Sequence, residues 1–154
     1  MGGPNPEDIH FMGMALAEAA AAAAEGEVPV GAVVVVDGQV VGRGSNRTRR
    51  DGVVHAHAEI CALAAAQRSS GDYRLDSAVV YVTLEPCLMC LGAIHQSRAA
   101  RLVFGAPEPK CGAVGSRFDL CGHRALRRLH ITGGVMAEEC AALLRTFFQE
   151  LRAK

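Results

Sequence analysis

Ala78-Val79-Val80-Tyr81-Val82-Thr83-Leu84-Glu85-Pro86-Cys87-Leu88-Met89-Cys90 is the stretch from which the rest of the chain can be read. Its first six residues form a short apolar, largely β-branched run, which predicts a buried strand. Pro86 predicts the start of a helix, because a proline at the first helical position gives up an N–H that has no helical acceptor. That helix is expected to run to about Ser97. Cys87 and Cys90, three apart, would then share one side of its first turn.

Working outward, the chain alternates strands and helices. Residues 1–6 (MGGPNP) read as a flexible lead, and Glu7 to Gly26 as a helix with Ile9, Met12, Leu16 and Ala20 on its apolar side. Val30 to Val36 is a β-branched run. Asp37-Gly38, a strong hairpin signal, follows it, and Val40-Val41 begins the return strand. Residues 43–56 are polar and glycine-punctuated, hence a loop. Ala58 to Arg68 reads as a helix with Ile60, Cys61, Leu63 and Ala64 inward. Arg101 to Gly105 is a third buried run, followed by a long connection to about Gly122. Leu129 to Thr132 reads as a short strand and Val135 to Arg152 as a closing helix. This order predicts an α/β layer with helices on both faces of one partly antiparallel sheet, in a single domain spanning 1–154.

Half of the 154 residues are hydrophobic and 21% are charged, which is a globular composition. Tryptophan is absent, so the core must be built from Val, Leu, Ile and Ala. Net charge is zero, but residues 1–42 hold six acids and no Lys or Arg, so the remainder carries 16 bases against 10 acids. Arg47, Arg49, Arg50, Arg124, Arg127, Arg128, Arg145, Arg152 and Lys154 form its clusters. A solvated surface and a basic wall around a site both account for them. The start of the chain has no basic n-region and no apolar stretch reaches the roughly 18–20 residues of a membrane span. The expected compartment is therefore the cytosol, and the six cysteines are expected as thiols and metal ligands rather than disulfides.

Cys87 and Cys90 at a helix N-terminus, where partial positive charge favours thiolate, form half of a metal site. His57, at the mouth of another helix, completes three ligands. A closed structural zinc site needs a fourth protein ligand, and no second C-x-x-C and no H-x-x-x-H is present, so the pattern suits a catalytic site. Glu59 lies two residues from His57. Passing a proton from bulk water (pKa ~15.7) to a carboxylate (pKa ~4.3) is uphill by about 15 kcal/mol, and zinc, by lowering the water pKa to ~7–9, cuts this to roughly 4–6 kcal/mol. His55 is a rival ligand with poorer spacing to Glu59. A redox Cys pair and a structural zinc in an RNA-binding module are the competing readings.

The combination His57-Ala58-Glu59 with Pro86-Cys87-Leu88-Met89-Cys90 resembles the zinc-dependent cytidine/deoxycytidylate deaminase superfamily. Val28 to Val33, Asn46, Tyr73-Arg74-Leu75, Tyr81 to Cys87, Arg101 to Ala106, Lys110, Gly112 to Ser116, Glu139 to Leu144 and Phe147-Phe148 narrow it to the bacterial tRNA-specific adenosine deaminase family. The resemblance runs from about residue 8 to the end. It implies a three-layer α/β/α sandwich around a mixed five-stranded sheet, a homodimer, and one zinc per subunit on His57, Cys87 and Cys90. The implied reaction is hydrolysis of the 6-amino group of the anticodon wobble adenosine to inosine and ammonia, with Glu59 as proton carrier. Asn46 would hold the flipped base or its ribose, the Ala58 amide would bond the nucleophile or the purine, and carbonyls near Leu84 and Pro86 would face the amino group. Glu108 and Lys110 would touch the anticodon loop, and Phe148 and Arg152 would stack on or bind its unpaired nucleotides. The chain departs from the family at Val53-Val54-His55, usually Asp-Pro-Thr, and at Glu108, usually Asp.

The leftover side chains have plainer readings. Cys61 and Cys140 are expected in the core, and Cys111 and Cys121 in the long connection. Leu88, Met89, Leu91 and Ile94 are a candidate dimer contact. A deaminase of free bases such as guanine shares the metal motif and is the nearest enzymatic alternative.

Overall fold

The computed structural model describes residues 4–154. Of the expected flexible lead, residues 1–3 lie outside the described residues. The rest is ordered into a helix start. Asn5 accepts the N–H of Asp8 at 2.8 Å while Asp8 accepts that of Asn5 at 3.2 Å, a reciprocal cap that begins α1 (Pro6–Ala24).

Strands β1 (Gly31–Val36) and β2 (Gln39–Ser45) form the hairpin, turning at Asp37 and Gly38 with φ of 50° and 75°. α2 (Thr48–Asp51) and α3 (Ala58–Ser70) follow, then β3 (Val79–Leu84), α4 (Leu88–Ser97), β4 (Arg101–Ala106), β5 (His130–Thr132) and α5 (Ala137–Arg152). The five strands make one sheet in the order β2-β1-β3-β4-β5. β1 pairs antiparallel with β2 and β3, while β3/β4 and β4/β5 are parallel.

The period-2 alternation of the strands sends side chains to two cores. Ala32, Val34, Val80, Val82 and Leu102 pack with Ala62, Leu63 and Ala66 of α3 and with Leu91 and Ile94 of α4. Val33, Val35, Tyr81 and Val103 pack with Phe11, Met12 and Ala15 of α1 and with Cys140 of α5. This is the expected three-layer α/β/α arrangement. No described helix is long and apolar enough to cross a membrane.

Three expectations need correction. β2 extends to Ser45, beyond the predicted loop start at 43, because Gly42 and Gly44 let α3 lie directly on the strand. A Cβ at Gly42 would sit 2.3 Å from the Ala62 carbonyl oxygen, and one at Gly44 2.5 Å from that of Ala58. The same close packing turns the alanines of α3 inward and leaves Ile60, Cys61 and Ala64 only partly buried. Likewise α1 faces the sheet with Phe11, Met12, Ala15 and Ala19, and Ile9 is exposed.

Candidate metal centre and active site

Two helices begin side by side at the end of the sheet. His57 is the N-cap of α3 and Cys87 the N-cap of α4. Helix N-caps usually use a side-chain oxygen to bond their own first turn. Here neither side chain does so, and both are turned toward each other. Pro86 is therefore not the first helical residue. The chain stays extended through Cys87 because Cys87 forms an antiparallel bridge with Gly112 and the Pro86 carbonyl accepts the Ala113 N–H at 2.9 Å.

His57 Nδ1 lies 3.6 Å from Cys87 Sγ and 3.4 Å from Cys90 Sγ, and the three donor atoms all fall within 4.8 Å of one another. Zinc bonds of about 2.3 Å to sulfur and 2.0–2.1 Å to nitrogen in a tetrahedron require an N···S edge of about 3.6 Å. The donor set and its spacing fit zinc. His55 is exposed and outside the cluster, and neither Cys111 nor Cys121 joins it.

The electrostatics suit thiolate binding. A hydrogen bond from Cys90 lowers the Cys87 pKa to about 4, and His57 adds to it. The same contact, with burial, pushes Cys90 up, so Cys87 is the readily ionised thiol and a bound cation would supply what Cys90 needs. The Cys87 contact also raises His57.

Glu59, on the first turn of α3, is 4% exposed. Burial pushes its pKa up to about 7, and the charge of Cys87 pushes the same way, against its own backbone N–H, His57 and Cys90. A carboxyl near neutrality can take up a proton and return it.

The Arg47 N–H donates to the Ala56 carbonyl at 2.8 Å, which ties Asn46 beside the metal segment. Asn46 is 8% exposed, and its side-chain amide bonds no described residue. The Ala58 N–H belongs to the first turn of α3, where helical acceptors are lacking. Leu84 ends β3 against Ala106. The Pro86 carbonyl, already bonded to Ala113, keeps only one lone pair for a substrate amino group.

Further out, Lys110, Phe148 and Arg152 come together in one groove of about 460 Å³ with Leu144, Arg145 and Gln149. Glu108 stands apart from it, its carboxylate accepting the Lys110 N–H at 3.0 Å. Other basic residues are partly neutralised: Arg47 pairs with Asp51, Arg50 with Glu25 and Arg145 with Glu138. Glu85 had no assigned role in the sequence, yet it is buried and holds the loop around Lys110. The available signal was an acid between a buried strand and the metal helix with no basic neighbour to pair it.

The residues 5–106 match the family described as the cytidine and deoxycytidylate deaminase zinc-binding region. The chain is 46% identical over 151 residues to a tRNA-specific adenosine deaminase of Agrobacterium fabrum, covering 95% of this chain and 97% of that protein. A solved structure from work on A-to-I editing by tRNA:A34 deaminases at the wobble position superposes with a TM-score of 0.85 at 44% identity, over 88% of this chain and 99% of that one. A guanine deaminase from Nitrosomonas europaea superposes with a TM-score of 0.81 at 27% identity, over 93% and 84%. With its mixed five-stranded sheet and its His/Cys/Cys site, the chain belongs to the tRNA-specific adenosine deaminases, within the cytidine and deoxycytidylate deaminase zinc-binding family.

Proposed function

We propose that this protein hydrolyses the 6-amino group of the wobble adenosine in a tRNA anticodon loop, giving inosine and ammonia. The observation that carries the reading is the meeting of His57, Cys87 and Cys90 at zinc-ligand spacing beside a buried Glu59, in a chain nearly half identical to a tRNA-specific adenosine deaminase along its length.

In this reading His57, Cys87 and Cys90 hold zinc, which supplies a Lewis acid that acidifies water at the site. Glu59 accepts one proton from the attacking water and delivers it to a ring nitrogen of adenine. It then takes the second proton from the hydroxyl added at C6 and gives it to the departing amine as the C6–N bond breaks and the C6 carbonyl forms. One water is consumed and one ammonia released. Asn46, with a free amide, holds the flipped base or its ribose, and the Ala58 N–H bonds the incoming oxygen or the purine. Burial around Glu59 excludes bulk water, so its proton goes to the substrate. Lys110, Phe148 and Arg152 take the neighbouring nucleotides, the aromatic ring by stacking and the cations at phosphate. Glu108 contributes to the same loop contact.

Leu88 and Met89 stand out on α4, 57% and 38% exposed. This apolar face supports a homodimer. Leu91 and Ile94, expected in that contact, are buried in the core instead. A tRNA substrate and the lack of a described membrane-crossing helix favour the cytoplasm.

The likeness to a guanine deaminase keeps one second reading, action on a free base. Incubation with an anticodon stem-loop bearing a wobble adenosine, and in parallel with free adenine, guanine, cytosine and cytidine, separates the two. Inosine in the stem-loop alone is the expected result; ammonia from a free base alone would move the assignment to the second reading.

A further inference from the structure

Residues 107–118 open the long connection after β4 and carry Lys110 to the groove on α5. One side chain anchors them. Glu85 is 3% exposed and has no cationic partner among the described residues. Its carboxylate accepts the N–H groups of Glu108 at 3.1 Å, Val114 at 2.9 Å and Ser116 at 3.1 Å, together with the Ser116 hydroxyl. A buried carboxylate without a counter-ion is tolerated only when its lone pairs are filled, and four donors fill them. The loop amides gain in return the acceptors that a non-repetitive segment lacks.

The contact is relayed outward. Glu85 holds the Glu108 N–H, and the Glu108 carboxylate holds the Lys110 N–H at 3.0 Å. It is also joined inward, because Ala113 bonds the Pro86 carbonyl and Gly112 bridges Cys87. Gly112 packs on the carboxylate so closely that a Cβ there would lie 2.4 Å from Glu85 Oε2. The segment that presents Lys110 and the residue that opens the metal helix thus share one anchor.

We propose that Glu85 is a positioning residue for the nucleic-acid substrate, holding 107–118 so that Lys110 stands in fixed register between the metal centre and the α5 groove. The proposal rests on the tRNA reading above. A merely structural Glu85 would lower thermal stability, zinc content and kcat together. A positioning Glu85 acts through Lys110 and shows in KM.

The test compares Glu85→Gln and Gly112→Ala with the wild type, each also combined with Lys110→Ala. Gln keeps one acceptor oxygen but turns an NH₂ toward the loop amides. Gly112→Ala displaces the carboxylate without altering its charge, and it serves if Glu85→Gln fails to fold. Expected are full zinc content, faster hydrogen exchange at the amides of 108, 114 and 116, a stem-loop KM raised on the order of tenfold, and kcat within about threefold. Lys110→Ala should raise KM in the wild type and add little in either variant, because Lys110 is already displaced. Lost kcat with unchanged KM, or fully additive Lys110→Ala effects, would overturn the proposal. Wild-type protein that deaminates only a free base refutes the tRNA reading instead. Unchanged protection at 108, 114 and 116 in Glu85→Gln overturns the anchor whatever the substrate is.

Discussion

His57 Nδ1 lies 3.4 Å from Cys90 Sγ although 33 residues separate them. The contact exists because α3 and α4 begin at neighbouring points, with His57 and Cys87 as their N-caps. Each side chain is held at the start of a rigid helix rather than on a mobile loop, which keeps the donors at zinc spacing.

Removing one donor should therefore remove the metal. His57→Ala and Cys87→Ala are each expected to purify with less than about a tenth of the wild-type zinc and to melt at lower temperature, since metal binding adds to folding stability. Elemental analysis and a thermal melt check this. His55→Ala, in contrast, should keep full zinc content, because His55 is exposed and outside the cluster.

In the proposed mechanism Glu59 carries a proton and stands outside the cluster of His57, Cys87 and Cys90. Glu59→Gln should retain zinc and lose activity by a factor of roughly 10²–10⁴ or more, the usual size of a general acid–base contribution. Single-turnover deamination of the stem-loop with a matched zinc assay gives the measurement. Turnover within about fivefold of wild type would remove Glu59 from the mechanism.

On the opposite face of the sheet, Asp8 is fully buried and paired with Arg101 through two 2.7 Å bonds, with the Tyr81 hydroxyl donating at 3.0 Å. Arg101→Met would leave that carboxylate without its cation, and a loss of about 3–5 kcal/mol is expected in urea unfolding. Burial alone would raise the Asp8 pKa, but Arg101, Asn5 and Tyr81 outweigh it and the carboxyl lies below its ordinary value. A depressed folded-state pKa stabilises above the unfolded value. The Asp8 contribution should thus be intact above about pH 4 and be lost as pH falls further. Wild type should show this acid-side decline and Asp8→Asn should lack that part of it.

In the α5 groove, Phe148→Ala should weaken stem-loop binding by about 1–3 kcal/mol, the range of one base stacked on an aromatic ring. Arg152→Ala should weaken it too and reduce the slope of log K against log salt by up to about 1. Binding titrations at several salt concentrations distinguish the two effects, and a salt slope unchanged by Arg152→Ala would place that cation away from phosphate.

Gly42→Ala should destabilise the fold by at least about 1–3 kcal/mol, because the methyl group meets the α3 backbone rather than a side chain that can turn aside. Chemical unfolding is the check. Since α3 carries His57 and Glu59 at its start, a shift of this helix should also reduce activity.

Much of this protein was decided by local sequence. The short apolar runs at β1, β3 and β4, the Asp37-Gly38 turn and the Cys87/Cys90 spacing depend on near neighbours, so strands, hairpin and metal helix were readable, as were the three candidate donors and the candidate proton carrier Glu59. What the sequence alone could not determine involves pairs far apart in the chain. The approach of His57 to within 3.6 Å of Cys87 Sγ and 3.4 Å of Cys90 Sγ follows from where α3 lands against α4. The inward face of α3 follows from how closely Gly42 and Gly44 let it approach, and the extended backbone at Pro86-Cys87 from pairing with Gly112 and Ala113. The Glu85 anchor needs four donors from residues 108, 114 and 116, and the groove of Lys110, Phe148 and Arg152 needs two segments that only tertiary packing brings together. Periodicity and capping report what one segment prefers; burial and hydrogen bonding across segments decide which of those preferences survive and which side chains meet.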